Sequence, residues 1–150
     1  MANAAIIKEL SGYQRRFDRN LNVRAPSSKG QTPLYLAVCT GDVDTVKAVI
    51  DADIDPYFHA DTNTFLNELC DEKTPLMQAA FLGHAGVVSL LLDRGADHEI
   101  CVQREKFNCL HYAVKSDRAK EDVIMAFKDK MDFDQLPPVL RSIAKKIHRK

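Results

Sequence analysis

The sequence has no excess of charge of either sign, because its 21 basic side chains balance 21 acidic ones. A chain without net charge provides no overall field to hold a phosphate backbone or an anionic membrane surface. No apolar run approaches the roughly 20 residues that span a bilayer, and the N-terminal segment lacks the basic start and apolar core of a signal peptide. We therefore expect no nucleic-acid or membrane partner, and a cytoplasmic or nuclear location.

The sequence also lacks the motifs of metal sites and of catalysis. No Cys-x-x-Cys pair occurs among its four cysteines, so we expect reduced thiols and not a disulfide framework: Cys39, Cys70, Cys101 and Cys109. The tightest ligand-like pair, Cys109-x-His111, does not have the two-plus-two spacing of a structural zinc site. Gly-rich phosphate loops, Gly-x-Ser-x-Gly elbows and His-Glu-x-x-His helices are absent. We expect no metal, no cofactor and no enzymatic activity.

What the sequence does contain is a repeated phrase. "TPLYLAVCTGDVDTVKAVIDADID" begins at Thr32, and "TPLMQAAFLGHAGVVSLLLDRGAD" begins 42 positions later at Thr74. The positions that coincide under this shift include Thr32 with Thr74, Pro33 with Pro75, Leu34 with Leu76, Ala37 with Ala79, Gly41 with Gly83 and Asp55 with Asp97. A weaker third copy, "NCLHYAVKSD", begins at Asn108, a further 34 positions along the chain. Segments that repeat residue by residue are expected to repeat in space.

Each copy predicts two short helices. Thr32 and Thr74 are suited to cap a helix N-terminus, and the proline after each of them fits the first helical turn. This first helix is expected to end near Gly41 or Gly83. The apolar residues that follow recur at helical spacing and predict a second, amphipathic helix that needs a neighbour. Gly95, just past the second copy's apolar residues, suits a left-handed C-cap.

These phrases resemble the ankyrin repeat, whose signature is a turn and two antiparallel helices that open with Thr-Pro-Leu-His-x-Ala. The resemblance covers roughly residues 28 to 130 and implies an all-α ankyrin-repeat solenoid of stacked helix-turn-helix units, with β-turn finger loops and helical caps. The 150 residues would form one domain. The expected parts are an N-terminal cap (1–27), repeat 1 (28–57), an inserted finger loop (58–70), repeat 2 (71–103), a degenerate repeat 3 (104–131) and a C-terminal cap helix starting at Pro138 (132–150).

Several positions depart from the family pattern. Tyr35 and Met77 stand where the family usually has a histidine that ties neighbouring loops together, whereas His111 retains it. Glu72 and Lys106 replace the turn glycine that is present as Gly30. The segment after Lys115 replaces the usual Gly-His turn, so we expect the third repeat to be distorted.

The first interval exceeds the family period by nine residues, and these must lie in the finger between Asp55 and Thr74. The enlarged finger carries apolar residues that could contact a partner: Tyr57, Phe58, Phe65, Leu66 and Leu69. Seven acids and no Lys or Arg occur from Asp51 to Glu72, which favours a partner with a basic patch. The alternative is that the aromatic residues fold back onto the stack while the acids keep an extended loop soluble.

The resemblance implies a second contact surface, made of the finger tips and the concave side of the first helices. Phe81 and Leu82 are the most conspicuous residues there, since adjacent large apolar side chains on an exposed groove favour binding. The alternative is that the enlarged finger covers them. Carried onto this chain, the candidate partner-binding positions include Gln31, Thr40, Asp71, Lys73, Phe81, Leu82, Glu105, Phe107 and Lys115.

The resemblance therefore implies a non-catalytic protein-binding module, monomeric or weakly self-associating, that inhibits or masks a partner through its concave face and enlarged finger. This chain is similar in size to small regulatory ankyrin proteins and to the ankyrin proteins that pathogens direct at host pathways. Two other readings stay open: the interaction domain of a larger enzyme or channel, and a self-associating structural unit. The basic C-terminal segment, which includes Arg141 and Lys145, either caps the stack with solvated charge or serves as a nuclear localisation patch.

Overall fold

The computed structural model describes residues 26–53, 66–102, 107–116 and 120–129, together with Pro138, Arg141, Ser142 and Lys145. Within these residues the secondary structure is helical apart from two isolated antiparallel bridges, Cys70 with Lys73 and Val102 with Phe107. The helices, numbered here in chain order, are α1 (Pro33–Thr40), α2 (Val43–Asp53), α3 (Pro75–Leu82), α4 (Ala85–Asp93), α5 (Cys109–Lys115) and α6 (Lys120–Lys128). None of the helices in the described ranges is both long and apolar enough to cross a membrane.

The first helix of repeats 1 and 2 begins at the Thr-Pro motif, as predicted. The hydroxyl of Thr32 accepts a hydrogen bond from the Tyr35 backbone N–H, and that of Thr74 accepts one from the Met77 N–H, each at 3.2 Å. Both threonines are buried, so these bonds satisfy helix-terminal donors where water does not reach. The helices α1 and α3 end at Gly41 and Gly83, which adopt the left-handed conformation (φ 74° and 80°).

The end of α4 confirms the cap predicted at Gly95. Its φ is 89°, and its N–H donates to the Leu92 carbonyl at 3.0 Å. The next N–H, from Ala96, donates to the Leu91 carbonyl at 2.9 Å. These two bonds form a Schellman motif, which satisfies the last carbonyls of the helix and turns the chain back toward the first-helix layer.

The helices pack as two parallel layers. In the first layer α1 contacts α3 and α3 contacts α5; in the second layer α2 contacts α4 and α4 contacts α6. Each first helix also contacts the second helix of its own repeat. One apolar cluster runs between the layers, from Leu34 and Ile50 through Leu76 and Leu91 to Phe127. The chain is therefore an all-α stack of helical hairpins, which confirms the predicted fold class.

Close backbone approach fixes how the first two repeats stack. The His84 ring lies against Gly41, and a methyl group built on Gly41 would come within 2.5 Å of the His84 Cε1 atom. A methyl group on Gly86 would come within 2.9 Å of a methyl group of Val43. Glycine at both positions thus allows the turn and start of α4 in repeat 2 to pack closely against the turn and start of α2 in repeat 1.

The third repeat is distorted, as its sequence predicts. Helix α5 is seven residues long and ends at Ser116, which is extended (φ −75°, ψ 136°) and does not adopt the left-handed conformation of Gly41 and Gly83. The side chain of Asn108 replaces threonine as the N-cap and accepts from the N–H groups of Leu110 and His111. Asparagine is as good an N-cap as threonine, so the helix still begins at the expected position.

The predicted N-terminal cap lies almost wholly outside the described residues, and so does most of the predicted C-terminal cap. The four residues that are described in the latter segment, Pro138, Arg141, Ser142 and Lys145, are helical. The predicted domain boundaries stay predictions.

Candidate functional site

The three first helices expose equivalent positions on the side away from the second-helix layer. Because the repeats are related by shifts of 42 and 34 residues, Cys39, Phe81 and Lys115 form one row along α1, α3 and α5. One helical turn earlier, Leu36, Gln78 and Tyr112 form a second row. These two rows, together with the finger turns that precede the helices, are called the inner face below. Phe81 is 37% exposed there although its neighbours Ala79 and Ala80 are fully buried.

Repeats 2 and 3 together build a cluster of two lysines and three aromatic rings on the inner face. The Lys73 ammonium lies 5.7 Å from the centroid of the Phe81 ring and 5.9 Å from that of Tyr112. Tyr112 packs edge to face with Phe81 at 6.4 Å and with Phe107 at 6.2 Å between centroids. The Lys115 ammonium lies 5.7 Å from the Phe107 centroid. We call these five residues the lysine–aromatic cluster.

His111 extends this cluster, and within the described part of the chain it belongs to no group of side chains that could hold a metal ion. Its ring stacks on Phe107 at 5.2 Å between centroids. Its Nδ1 atom either accepts from the Asn108 N–H or, in the other tautomer, donates to the Asn108 side-chain oxygen. Among the described residues this histidine is thus tied within its own repeat, which differs from the predicted tie to a neighbouring loop. Its role is to close the capping box of α5.

The finger turn of repeat 2 is a tight hairpin. The N–H of Cys70 donates to the Lys73 carbonyl at 2.9 Å, and the N–H of Lys73 donates back to the Cys70 carbonyl at 3.0 Å. The two residues between them, Asp71 and Glu72, both have positive φ (51° and 60°), as a two-residue type I′ turn requires. The Gln31 amide of the preceding finger donates to the Asp71 carboxylate at 3.3 Å. Two predicted contact residues therefore link adjacent fingers.

Toward repeat 1 the two rows of the inner face carry uncharged side chains: Leu36, Cys39 and Gln78. The Gln78 amide donates to the Cys39 sulfur at 3.7 Å, and desolvation raises the pKa of the Cys39 thiol, so this cysteine is a neutral thiol at pH 7. The hydroxyl of Thr40 donates to the Ala37 carbonyl at 2.6 Å and accepts from the Asp42 N–H at 3.2 Å, so it serves the local helix end. Leu82 is half-buried.

The enlarged finger is only partly described. The prediction that Leu66 offers apolar surface to a partner is wrong: Leu66 is 1% exposed and belongs to the apolar core. A branched aliphatic side chain between two repeats gains more by burial against the stack than by remaining in water. Leu69, by contrast, is exposed. Tyr57, Phe58, Phe65 and Glu105 lie outside the described residues.

The acidic segment that begins at Asp51 already has partners inside the molecule. The Arg94 guanidinium donates to the Asp51 carboxylate at 2.7 Å and links the second helices of repeats 1 and 2. Asp71 accepts from Gln31, as described above. Part of the acidity that favoured a basic partner thus stabilises repeat contacts.

The cysteines offer no metal site within the described ranges, where no group of three or more His, Cys, Asp or Glu side chains is placed to hold an ion. The Cys109 thiol donates to the His98 carbonyl at 3.3 Å, and burial raises the pKa of this thiol to about 12. A metal-binding cysteine must lose its proton, so burial makes Cys109 a poor ligand. All four cysteines are free.

Sequence reasoning missed the row of Leu36, Gln78 and Tyr112. Leu36 is a large apolar residue of α1 that is exposed, and Tyr112 joins the aromatic rings of two repeats. The signal was present in the repeat register, since residues one helical turn before Cys39, Phe81 and Lys115 must lie on the same side of their helices.

Comparison with known proteins identifies the repeat. A family model of ankyrin repeats (3 copies) matches residues 56–134, and a model of the single ankyrin repeat matches residues 29–58. The chain is similar to the Inactive serine/threonine-protein kinase TEX14 of Bos taurus, with 29% identity over 115 residues, 76% of this chain and 7% of that protein. It is also similar to the Ankyrin repeat and SAM domain-containing protein 6 of Rattus norvegicus, with 33% identity over 97 residues, 65% of this chain and 10% of that protein. The chain thus spans a small part of each relative, and it belongs to the ankyrin-repeat family.

Proposed function

We propose that this chain is a non-catalytic binding module that recognises a partner protein on its inner face and masks or inhibits that partner. Ankyrin repeats are generally protein–protein interaction modules, and domains built of them are typically non-catalytic. The observation that carries the proposal is the exposed ring of Phe81, set between Lys73 and Tyr112 at the centre of the inner face. Large, well-supported apolar residues at the centre of a surface are typical binding hot spots.

The stack also supports recognition by a rigid surface. The backbone of α3 is fixed by the Thr74 cap and by Gly83 at its end, and the Phe81 ring is held against Tyr112. Side chains that are already ordered lose little conformational entropy on docking. A partner surface that docks on these repeats is thereby covered, which is the physical basis of masking.

A second candidate is that the chain acts as the interaction segment of a larger protein. It is favoured by the size of the relatives, of which this chain covers 7% and 10%. Recognition would use the same inner face, but its consequence would be recruitment of the partner to the remainder of the protein. For both candidates we propose a cytoplasmic or nuclear site of action, which the four free cysteines support.

Substitution of Phe81 tests the proposal. We expect Phe81→Ala, alone or with Leu82→Ala, to lower capture of the partner at least tenfold in quantitative affinity capture, because a central aromatic anchor is typically worth 2 kcal/mol or more. Met125→Ala is the matched control, since Met125 is 39% exposed, close to the 37% of Phe81, but lies on α6 of the second-helix layer. It should leave capture unchanged. Circular dichroism verifies that both variants are folded.

Masking is tested with the captured partner once it is identified. Stoichiometric addition of this chain should lower the partner's activity or its binding to its own ligand, and the Phe81→Ala chain should not. Normal capture by folded Phe81→Ala would refute the inner-face proposal. Capture without any loss of partner activity would favour the second candidate.

A further inference from the structure

We propose that the lysine–aromatic cluster binds an acidic segment of the partner protein, in which carboxylate side chains flank an apolar anchor residue. This inference rests on the proposed function, because it names the chemistry that the inner face would recognise. The cluster consists of Lys73, Phe81, Phe107, Tyr112 and Lys115.

The negative charge of the inferred ligand follows from what the two lysines of the cluster contact. Neither the Lys73 nor the Lys115 ammonium forms an ion pair with another described residue; their contacts are with ring faces, at 5.7–5.9 Å from the centroids. A cation–π contact orients an ammonium group but leaves its full positive charge and its N–H donors available to an anion. Among the described residues, each lysine is therefore a cation held in place by aromatic rings without a carboxylate partner.

The same contacts disfavour a basic partner at this place. The Lys73 ammonium already lies over Phe81 and Tyr112, and the Lys115 ammonium over Phe107. An incoming Lys or Arg would meet like charge at the ring faces it would otherwise use. Glu72 directly precedes Lys73 in the finger turn but forms no ion pair with it among the described residues, and Asp71 accepts a hydrogen bond from Gln31 of the preceding finger.

The apolar part of the inferred ligand follows from the exposure of the aromatic rings in the cluster. Phe81 is 37% exposed and Phe107 is half-buried, while Tyr112 lies buried beneath them as the ring that joins the two. An apolar side chain can thus contact the outer edges of Phe81 and Phe107 while carboxylates on either side reach the two ammonium groups. A nucleic acid offers anions too, but a chain with no net charge lacks the field that holds a phosphate backbone.

Peptide selection tests the inference directly. The full chain is immobilised and a phage-displayed library of random dodecapeptides is selected on it. We expect the selected peptides to be enriched in Asp and Glu around an aromatic or aliphatic residue. The double variant Lys73→Glu, Lys115→Glu should instead select Lys and Arg, because reversal of both charges reverses the complementarity.

The affinity of the best selected peptide is then measured with a set of matched variants. Lys73→Gln with Lys115→Gln should weaken binding about three- to tenfold, since two exposed ion pairs are lost. Lys73→Arg with Lys115→Arg should retain it, and rising salt should weaken binding to the natural chain but not to the Gln variant. Lys47→Gln with Lys145→Gln removes the same charge from two exposed lysines elsewhere and should have no effect.

The outcomes separate this inference from the proposed function. If the selected peptides were basic or neutral but bound the Phe81→Ala variant more weakly than the natural chain, the acidic ligand would be wrong. The proposal that the inner face binds a partner would remain. Peptides insensitive both to the lysine changes and to Phe81→Ala would overturn both. An oligouridylate is also tested as a competitor of the bound peptide. If it displaced the peptide at a lower concentration than unlabelled peptide does, the inference would be wrong and a nucleic-acid ligand would be favoured.

Discussion

At the scale of single residues, Glu72 has an unfavourable backbone conformation for a residue with a side chain. Its φ of 60° lies in the left-handed region, which costs a residue with a Cβ about 1–2 kcal/mol. Glycine pays no such cost, although it adds entropy to the unfolded chain. We predict that Glu72→Gly raises the free energy of unfolding by about 0.5–1 kcal/mol, measured as a higher urea midpoint with an unchanged m-value.

Glu99→Gly is the control for that prediction. Glu99 is exposed, lies outside the helices and does not have positive φ. Its backbone N–H donates to the Asp97 side-chain carboxylate, and glycine keeps that N–H. Here glycine should only add unfolded-state entropy and lower stability slightly. If both variants were destabilised equally, the turn at Asp71 and Glu72 would carry no strain.

At the scale of structural elements, the fit between the turns of repeats 1 and 2 depends on Gly41. Alanine at this position would have both an unfavourable φ of 74° and a methyl group within 2.5 Å of the His84 ring. We predict a loss of about 2–4 kcal/mol for Gly41→Ala in urea unfolding, the sum of a left-handed penalty and an overpacking penalty.

Gly30→Ala separates the two contributions to the loss at Gly41. Gly30 has the same φ of 74°, but a methyl group there would meet nothing within 4 Å. Its substitution should therefore cost only the left-handed penalty of about 1–2 kcal/mol. The additional loss at Gly41 should disappear when His84 is also replaced by alanine. Equal losses at Gly30 and Gly41 would show that the His84 contact does not determine the repeat spacing.

The sequence predicted the helices better than it predicted their contacts. Thr32, Thr74 and Gly95 carry local signals, because a capping hydroxyl or a left-handed glycine acts within one turn of the chain. The contact of Phe81 with Tyr112 crosses two repeats and depends on how they stack, which no local pattern encodes. Leu66 lies in an insertion, where the repeat register gives no guide to burial.

The predicted site shows the same difference between what the sequence pattern predicts and what depends on packing between repeats. The repeat register placed Phe81, Lys73 and Lys115 on one surface, and the structure brings all three into one cluster. The register did not indicate that the lysines would lie over aromatic rings, because that depends on side-chain conformation. The acids of the finger suggested a basic ligand, whereas the lysine–aromatic cluster presents two cations. Two of those acids, Asp51 and Asp71, are engaged by Arg94 and Gln31.

At the scale of the whole molecule, the stack links titratable groups in its first and third repeats. Burial raises the pKa of Tyr35 from 10.0 to about 12, with a further contribution from Cys39, and burial raises that of Cys109 from 9.0 to about 12. Tyr35 lies on α1 and Cys109 on α5, with α3 packed between those helices. Neighbouring repeats stabilise one another, so a short stack is expected to unfold as one unit.

That coupling predicts alkaline destabilisation in a single transition. Both groups bind their protons more tightly in the folded state, so the stability they contribute is complete below pH 9 and is lost as pH rises toward 12. Each group should add a slope of about −1.4 kcal/mol per pH unit, Cys109 from about pH 9 and Tyr35 from about pH 10. Urea unfolding between pH 8 and pH 11 measures this dependence. Cys109→Ala should reduce the earlier part, to which Cys39 with its raised pKa also contributes, and Tyr35→Phe should reduce the later part, each from the same cooperative transition. Two separate transitions, or a slope unchanged by both substitutions, would mean that the repeats do not share the burial that the packing of α1, α3 and α5 implies.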